Sequence, residues 1–165
     1  MIKAKFRSGW ARVWMWLGGR SRVGRVAVRL AGWFYPPYKA RHALAGMSPA
    51  GYISPTAVIH HRNLTLGKHV FVGDGVTIYA RSADESIVLG DEVLINKETM
   101  IEQGHGGSLV IGDRTTSQPR CQFSAYRGTI KICIEVQIAP KCAFYPYHHG
   151  RSPHQPMKQQ PLLST

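Results

Sequence analysis

The chain has 165 residues, about one domain's worth, and its 44% apolar content is ordinary enough to fill a packed core. Its formal net charge is +12, and that charge is unevenly placed: residues 1–73 hold 12 Lys/Arg and no Asp/Glu, whereas residues 74–165 hold nine of each, which cancel. No stretch reaches the ~18 consecutive apolar residues of a membrane span, arginines break every early run that could serve as a secretory signal, and three cysteines (Cys121, Cys133, Cys142) without a C-x-x-C define no disulfide framework and suit a reducing compartment.

Residues 1–49 read as a basic helical leader. Ile2, Phe6, Trp10, Val13, Trp14 and Leu17 recur at helical spacing, with Lys3, Lys5, Arg7 and Arg12 elsewhere; Gly18 and Gly19 end the segment. A second run places Val23, Val26, Leu30, Trp33 and Phe34 on one face, with Arg22, Arg25 and Arg29 around it, until "YPPY" (Tyr35 to Tyr38) stops it. Two amphipathic helices of this kind can cover the open first coil of a repeat protein. They also suit the surface of an anionic membrane, with Trp at the interface and Arg toward headgroups. No recognisable nucleic-acid-binding module is present. The arginine-rich, acid-poor composition also matches a mitochondrial transit peptide.

From residue 50 the period changes. In "LGKHVFVGDGVTI" the residues Leu66, Val72 and Ile78 stand six apart, a spacing that fits neither a helix at 3.6 nor a strand at 2. Further sets fall at Leu89, Ile95 and Ile101, at Ile111, Ser117 and Phe123, and at Ile132, Ile138 and Phe144. The sets begin 23, 22 and 21 residues apart, and the surplus over eighteen lies in "YARSADES", "EQGHGGS" and "AYRGT", which read as loops. The physical solution is an all-β solenoid of about four coils over residues 50–144. Three short strands close each triangular turn, and one side chain per strand points to the axis. Turns stack at the ~4.8 Å strand spacing. Glycine after the inward residue suits a corner that needs positive φ or close backbone approach, and Asp74, Asp91 and Asp113 suit corners too. An ordinary β-sandwich would explain the Val/Ile content but not the fixed six. Ser117 departs from the aliphatic pattern, and Cys133 stands where a corner glycine is expected.

The stretch "ISPTAVIHHRNLTLGKHVFVGDGVTI" and the coils after it resemble the hexapeptide-repeat acyltransferases, among them the galactoside, maltose and serine O-acetyltransferases. The resemblance covers residues 50–165 and implies a left-handed parallel β-helix and a homotrimer with active sites between neighbouring prisms. It implies acetyl-CoA or another acyl-CoA as donor, a sugar or polysaccharide-precursor hydroxyl as acceptor, and no required metal. The family is mostly bacterial, which sets the transit-peptide reading aside. The implied setting is the cytoplasm, peripheral to the inner face of the membrane through residues 1–45, with no nucleic-acid partner. Relatives continue past "QQPLLST" into further coils, so residues 145–165 are expected to form a projecting active-site loop with a shortened end. A catalytically incomplete remnant, or a scaffold binding partners or membrane, is the competing reading.

Transfer from a thioester to an alcohol needs a base for the hydroxyl proton, and imidazole is best matched to neutral pH. Of eight histidines, three fall in "FYPYHHGRSPHQP". The segment "IAPKCAFYPYHHG" resembles the family stretch that delivers the catalytic histidine, often as Asn-His-Gly or Asp-His-Gly. The match puts the base at His149, with Tyr147, His148 and Arg151 as substrate-binding candidates; His148 replaces the Asn or Asp. A metal site from His148, His149 and His154 is the other functional option, although consecutive histidines point in different directions. Arg151 and Lys158 are loop cations suited to the phosphates of coenzyme A, or simply solvated.

Overall fold

A computed structural model describes residues 2–80 and 86–164; the 81–85 part of the "YARSADES" loop and the side chains of Ile2, Lys3 and Ala4 lie outside the described residues. Helices α1 (Ile2–Trp16), α2 (Arg22–Ala31) and α3 (His42–Ala45) come first. A parallel β-solenoid follows. Its first turn is β1 (Tyr52–Ile53), β2 (Val58–His60) and β3 (Leu64–Leu66), and its second is β4 (Phe71–Val72), β5 (Thr77–Ala80) and β6 (Ile87–Leu89). The third is β7 (Leu94–Ile95), β8 (Met100–Gln103) and β9 (Ser108–Ile111), and the fourth β10 (Thr116–Ser117), β11 (Gln122–Ala125) and β12 (Thr129–Ile132). Strands β13 (Gln137–Ile138) and β14 (Ala143–Phe144) begin a fifth. The first strands of each turn form face A, the second strands face B and the third face C.

The register places every sixth residue in a vertical stack. Leu66, Leu89, Ile111 and Ile132 pair on face C. Val72, Ile95, Ser117 and Ile138 pair on face A. Ile78, Ile101, Phe123 and Phe144 pair on face B. The stacks on faces A and B extend one turn earlier than Val72 and Ile78, to Ile53 and Ile59 in the same turn as Leu66. Face C adds a second inward row, Leu64, Ile87, Leu109 and Ile130, two residues before the first. Each aliphatic fully buried this way contributes roughly 1.5–3 kcal/mol. Ser117 is fully buried, and its hydroxyl donates to the Gln118 carbonyl at 3.4 Å.

The leader packs on the outer side of face A, where Tyr52, Phe71 and Leu94 meet Ala11, Met15, Val28, Ala31, Leu44 and Ala45. The reason is the outward row of face A, which is itself aromatic and apolar: Tyr52 stacks on Phe71 at 5.1 Å between ring centres. Burial pushes the Tyr52 phenol above its ordinary pKa, with the Arg41 guanidinium pulling the other way. Arg20 adds a tie to the first turn, donating to the Leu64 carbonyl at 3.3 Å.

Candidate active site

Surplus residues leave the solenoid at one corner, between faces B and C, and the candidate site forms beside it. The outward residues of face B stack in register as His60, Tyr79, Glu102 and Ser124. After β14 the chain turns through Tyr145 and Pro146 into a two-stranded antiparallel ribbon, β15 (Tyr147–His149) with β16 (Leu162–Ser164). The ribbon leans back on the face B row. The Tyr147 hydroxyl lies 3.2 Å from the Ser124 hydroxyl, and its ring stands edge-on to Tyr126 and Tyr145 with centres 5.7 and 5.9 Å away. Arg127 fixes the other strand by donating to the Leu162 carbonyl at 3.1 Å.

Between ribbon and solenoid lies a cavity of about 350 Å³, lined by Tyr79, Glu102, Ser124, Tyr126 and Tyr147, with Gln103 and Gly104 also on its wall. Among the described residues it offers three phenols, one hydroxyl and one carboxylate, and no cation. Gln103 is buried and braces the corner: its amide donates to the Gly107 carbonyl at 2.6 Å and to the Ser86 carbonyl at 3.2 Å, while its oxygen meets His61 Nε2. An amide oxygen only accepts, so His61 carries its proton on Nε2. His61 Nδ1 is buried without a hydrogen-bond partner among the described residues.

Of the residues singled out from the sequence, Tyr147 lines the cavity. His149 does not. Side chains alternate along a strand, so His149 shares the side of β15 that Tyr147 presents, and His148 points the other way. His149 is exposed and His148 half-buried, and neither imidazole has a hydrogen bond or ion pair among the described residues. Arg151, His154 and Lys158 are exposed on the loop between the ribbon strands. That loop is closed by a residue the sequence did not flag. Gln160 is buried, accepts from the Ser152 N–H at 2.9 Å, and donates to the Ser152 and Gln155 carbonyls at 2.8 and 2.7 Å. Tyr79, Tyr126, Ser124 and Glu102 of the cavity were missed as well, because an outward position carries no signal that separates a groove from bare surface.

Other histidines serve the framework. His42 Nε2 pairs with the buried Asn96 Oδ1 at 2.9 Å, and Asn96 passes the contact on to the Ser117 carbonyl at 2.9 Å. His69 Nδ1 meets the Ser48 carbonyl at 3.0 Å. Among the described residues no three His, Cys, Asp or Glu side chains converge as metal ligands, those of the loop included. No described helix is long and apolar enough to cross a membrane.

Comparison of the chain with family models, with curated proteins and with solved structures finds no match.

Proposed function

We propose that the protein is an acyltransferase of the hexapeptide-repeat type, moving an acetyl or other acyl group from acyl-CoA to a hydroxyl of a sugar or polysaccharide precursor. The observation that carries this reading is the ribbon laid across face B, with Tyr147 inside a cavity of phenols and one carboxylate and His149 on the same side of its strand. Aromatic ring faces suit the C–H faces of a sugar, and Glu102, Ser124 and the phenols supply hydrogen-bonding groups for its hydroxyls. His149 takes the proton from the acceptor hydroxyl as its oxygen attacks the thioester carbonyl. The tetrahedral oxyanion collapses, the C–S bond breaks, and the imidazolium returns the proton to the leaving thiolate. Transfer is direct, with no covalent acyl-enzyme.

The resemblance adds a cytoplasmic homotrimer, in which a neighbouring prism completes each site. The exposed Arg127 and Arg151 are this chain's own candidates for the phosphates of coenzyme A. The exposed, unpartnered imidazole of His149 favours the second reading, a scaffold without turnover.

The test is release of free thiol from acetyl-CoA by the full chain across a panel of sugar acceptors, with His149→Ala beside the parent. Loss of a general base lowers the rate about 10²–10⁴-fold. Equal turnover by the two proteins removes His149 from the mechanism. A parent that releases no thiol with any acceptor, while keeping its fold by circular dichroism, leaves the scaffold reading.

A further inference from the structure

The leader buries Ala11, Met15, Val28, Ala31, Leu44 and Ala45 against the solenoid and leaves a second set of large apolar side chains exposed. The buried side of α1 is Ala11 and Met15, and that of α2 is Gly24, Ala27, Val28 and Ala31. The opposite side of α1 carries Phe6, Val13 and Trp16, which are 61%, 63% and 81% exposed. On α2 and the short turn after it, Val23, Val26 and Trp33 are 75%, 60% and 72% exposed. The spacings 6, 13, 16 and 23, 26, 33 are those of single helix faces. Phe6 touches Phe34 at 6.1 Å between ring centres, which joins the two stripes at one end of the hairpin. Exposed basic side chains, among them Lys5, Arg12, Arg22 and Arg29, border the stripes. No Asp or Glu occurs anywhere in residues 1–73.

We infer that this hairpin docks the protein onto an anionic lipid bilayer, seating the two apolar stripes at the headgroup boundary while the bordering arginines meet lipid phosphates. Three features select that occupant. Exposed Trp, Phe and Val next to Arg on short helices are the make-up of an interfacial helix. The helices, 15 and 10 residues long, are too short to span a bilayer and so lie along it. A second copy of the same face is disfavoured, because it would oppose one acid-free cationic surface with another. The inference is independent of the acyltransferase proposal, since it concerns a different part of the molecule and needs no turnover.

The experiment is flotation of the full chain with vesicles of phosphatidylcholine alone and of phosphatidylcholine with phosphatidylglycerol. Binding is expected to the anionic vesicles only, to weaken as salt rises from about 0.1 to about 1 M, and to shift tryptophan emission to the blue. Each basic residue near such a surface is worth about fivefold in partitioning, so Arg22→Gln, Arg25→Gln and Arg29→Gln together should lower binding roughly a hundredfold. Trp16→Ser with Trp33→Ser, at positions with no packing role, should lower it tenfold or more while leaving the circular dichroism spectrum unchanged. Equal binding to the two vesicle types, no binding, or binding that survives both sets of substitutions overturns the inference. Sedimentation as an assembly that Trp16→Ser with Trp33→Ser disperses, without vesicle binding, assigns the face to a second copy instead and also overturns it.

Discussion

Gly90 is not in the left-handed region of backbone space, so positive φ is not why glycine stands there. A Cβ added to it would lie 2.2 Å from Asp113 Oδ1 and 2.8 Å from the Asp113 N. Glycine clears room for the aspartate of the next turn, whose carboxylate accepts from the Asp91 N–H at 2.9 Å. The same arrangement recurs one turn earlier, where Gly67 faces Asp91 and Asp91 accepts from the Lys68 N–H at 2.7 Å. Positive φ falls instead two residues further along each corner, and most of these residues are charged: Glu92, Arg114 and Glu135 at one corner, Glu98, Arg120 and Lys141 at another. Arg114 pairs with Glu135 at 2.8 Å, and Arg120 with Glu98 at 2.5 Å, so these strained corners are linked up the ladder. Cys133 replaces the corresponding glycine without conflict because β12 is an edge strand, with no further described strand beyond it. Gly90→Ala should therefore destabilise by about 1–3 kcal/mol, the ordinary cost of overpacking, whereas Cys133→Gly should change little. Urea midpoints check this; a Gly90→Ala midpoint equal to the parent's would mean the turns do not stack this closely.

At the scale of elements, the strands were legible and the helix faces were not. The six-residue spacing names an inward residue for each strand, because only a three-sided coil brings every sixth side chain to one axis. All four sets from Leu66 to Phe144 sit in register. A helical stripe carries less information. Phe6 and Val13, or Val23 and Val26, mark an apolar face without saying what it meets, and here that face is the outer one. Packing falls to Ala11, Met15, Val28 and Ala31, which lie between the exposed apolar positions. The Trp10 indole crossing to the Leu30 carbonyl at 2.8 Å measures how close α1 and α2 lie. Two glycines separate these effects. Gly9 on α1 has nothing within 4 Å of an added Cβ, so Gly9→Ala should stabilise by about 0.5–1 kcal/mol through helix propensity. Gly24 on α2 would put its Cβ 2.6 Å from the Gly19 N, so Gly24→Ala should destabilise in spite of the same propensity gain. Thermal melts of the two variants should move in opposite directions; a rise in both would mean the hairpin is looser than this packing.

Over the whole molecule, loops and candidate site share the corner between faces B and C, while the leader packs on the first three rungs of face A. That division explains what could be read of the site. The surplus residues were countable, so the corner was visible, and of the candidates offered by resemblance Tyr147 lines the cavity. The rest of the cavity wall was not visible, because Tyr79, Glu102 and Ser124 become neighbours only when turns 22 or 23 residues apart stack. The same division makes stability uneven from end to end. A solenoid is held by contacts between neighbouring turns, so opening starts where a turn has the fewest neighbours. At the β1 end, α2 and α3 pack on Tyr52 and Phe71 and Arg20 holds the Leu64 carbonyl. At the other end Ile132 and Phe144 are only half-buried and Ile134 is 58% exposed, whereas Val72, Ile78, Ile95 and Ile101 are fully buried. Amide hydrogen exchange read by mass spectrometry should therefore be slowest in peptides covering β4 to β8 and fastest among the solenoid strands in β13 and β14, with β1 and β2 closer to the centre than to the far end. Each strand in the middle must break two parallel ladders to open, and each at the far end only one. Uniform protection from β1 to β14 would make the solenoid a single cooperative unit and would defeat the prediction; protection lowest at β1 and β2 would mean the leader adds nothing to the first turn.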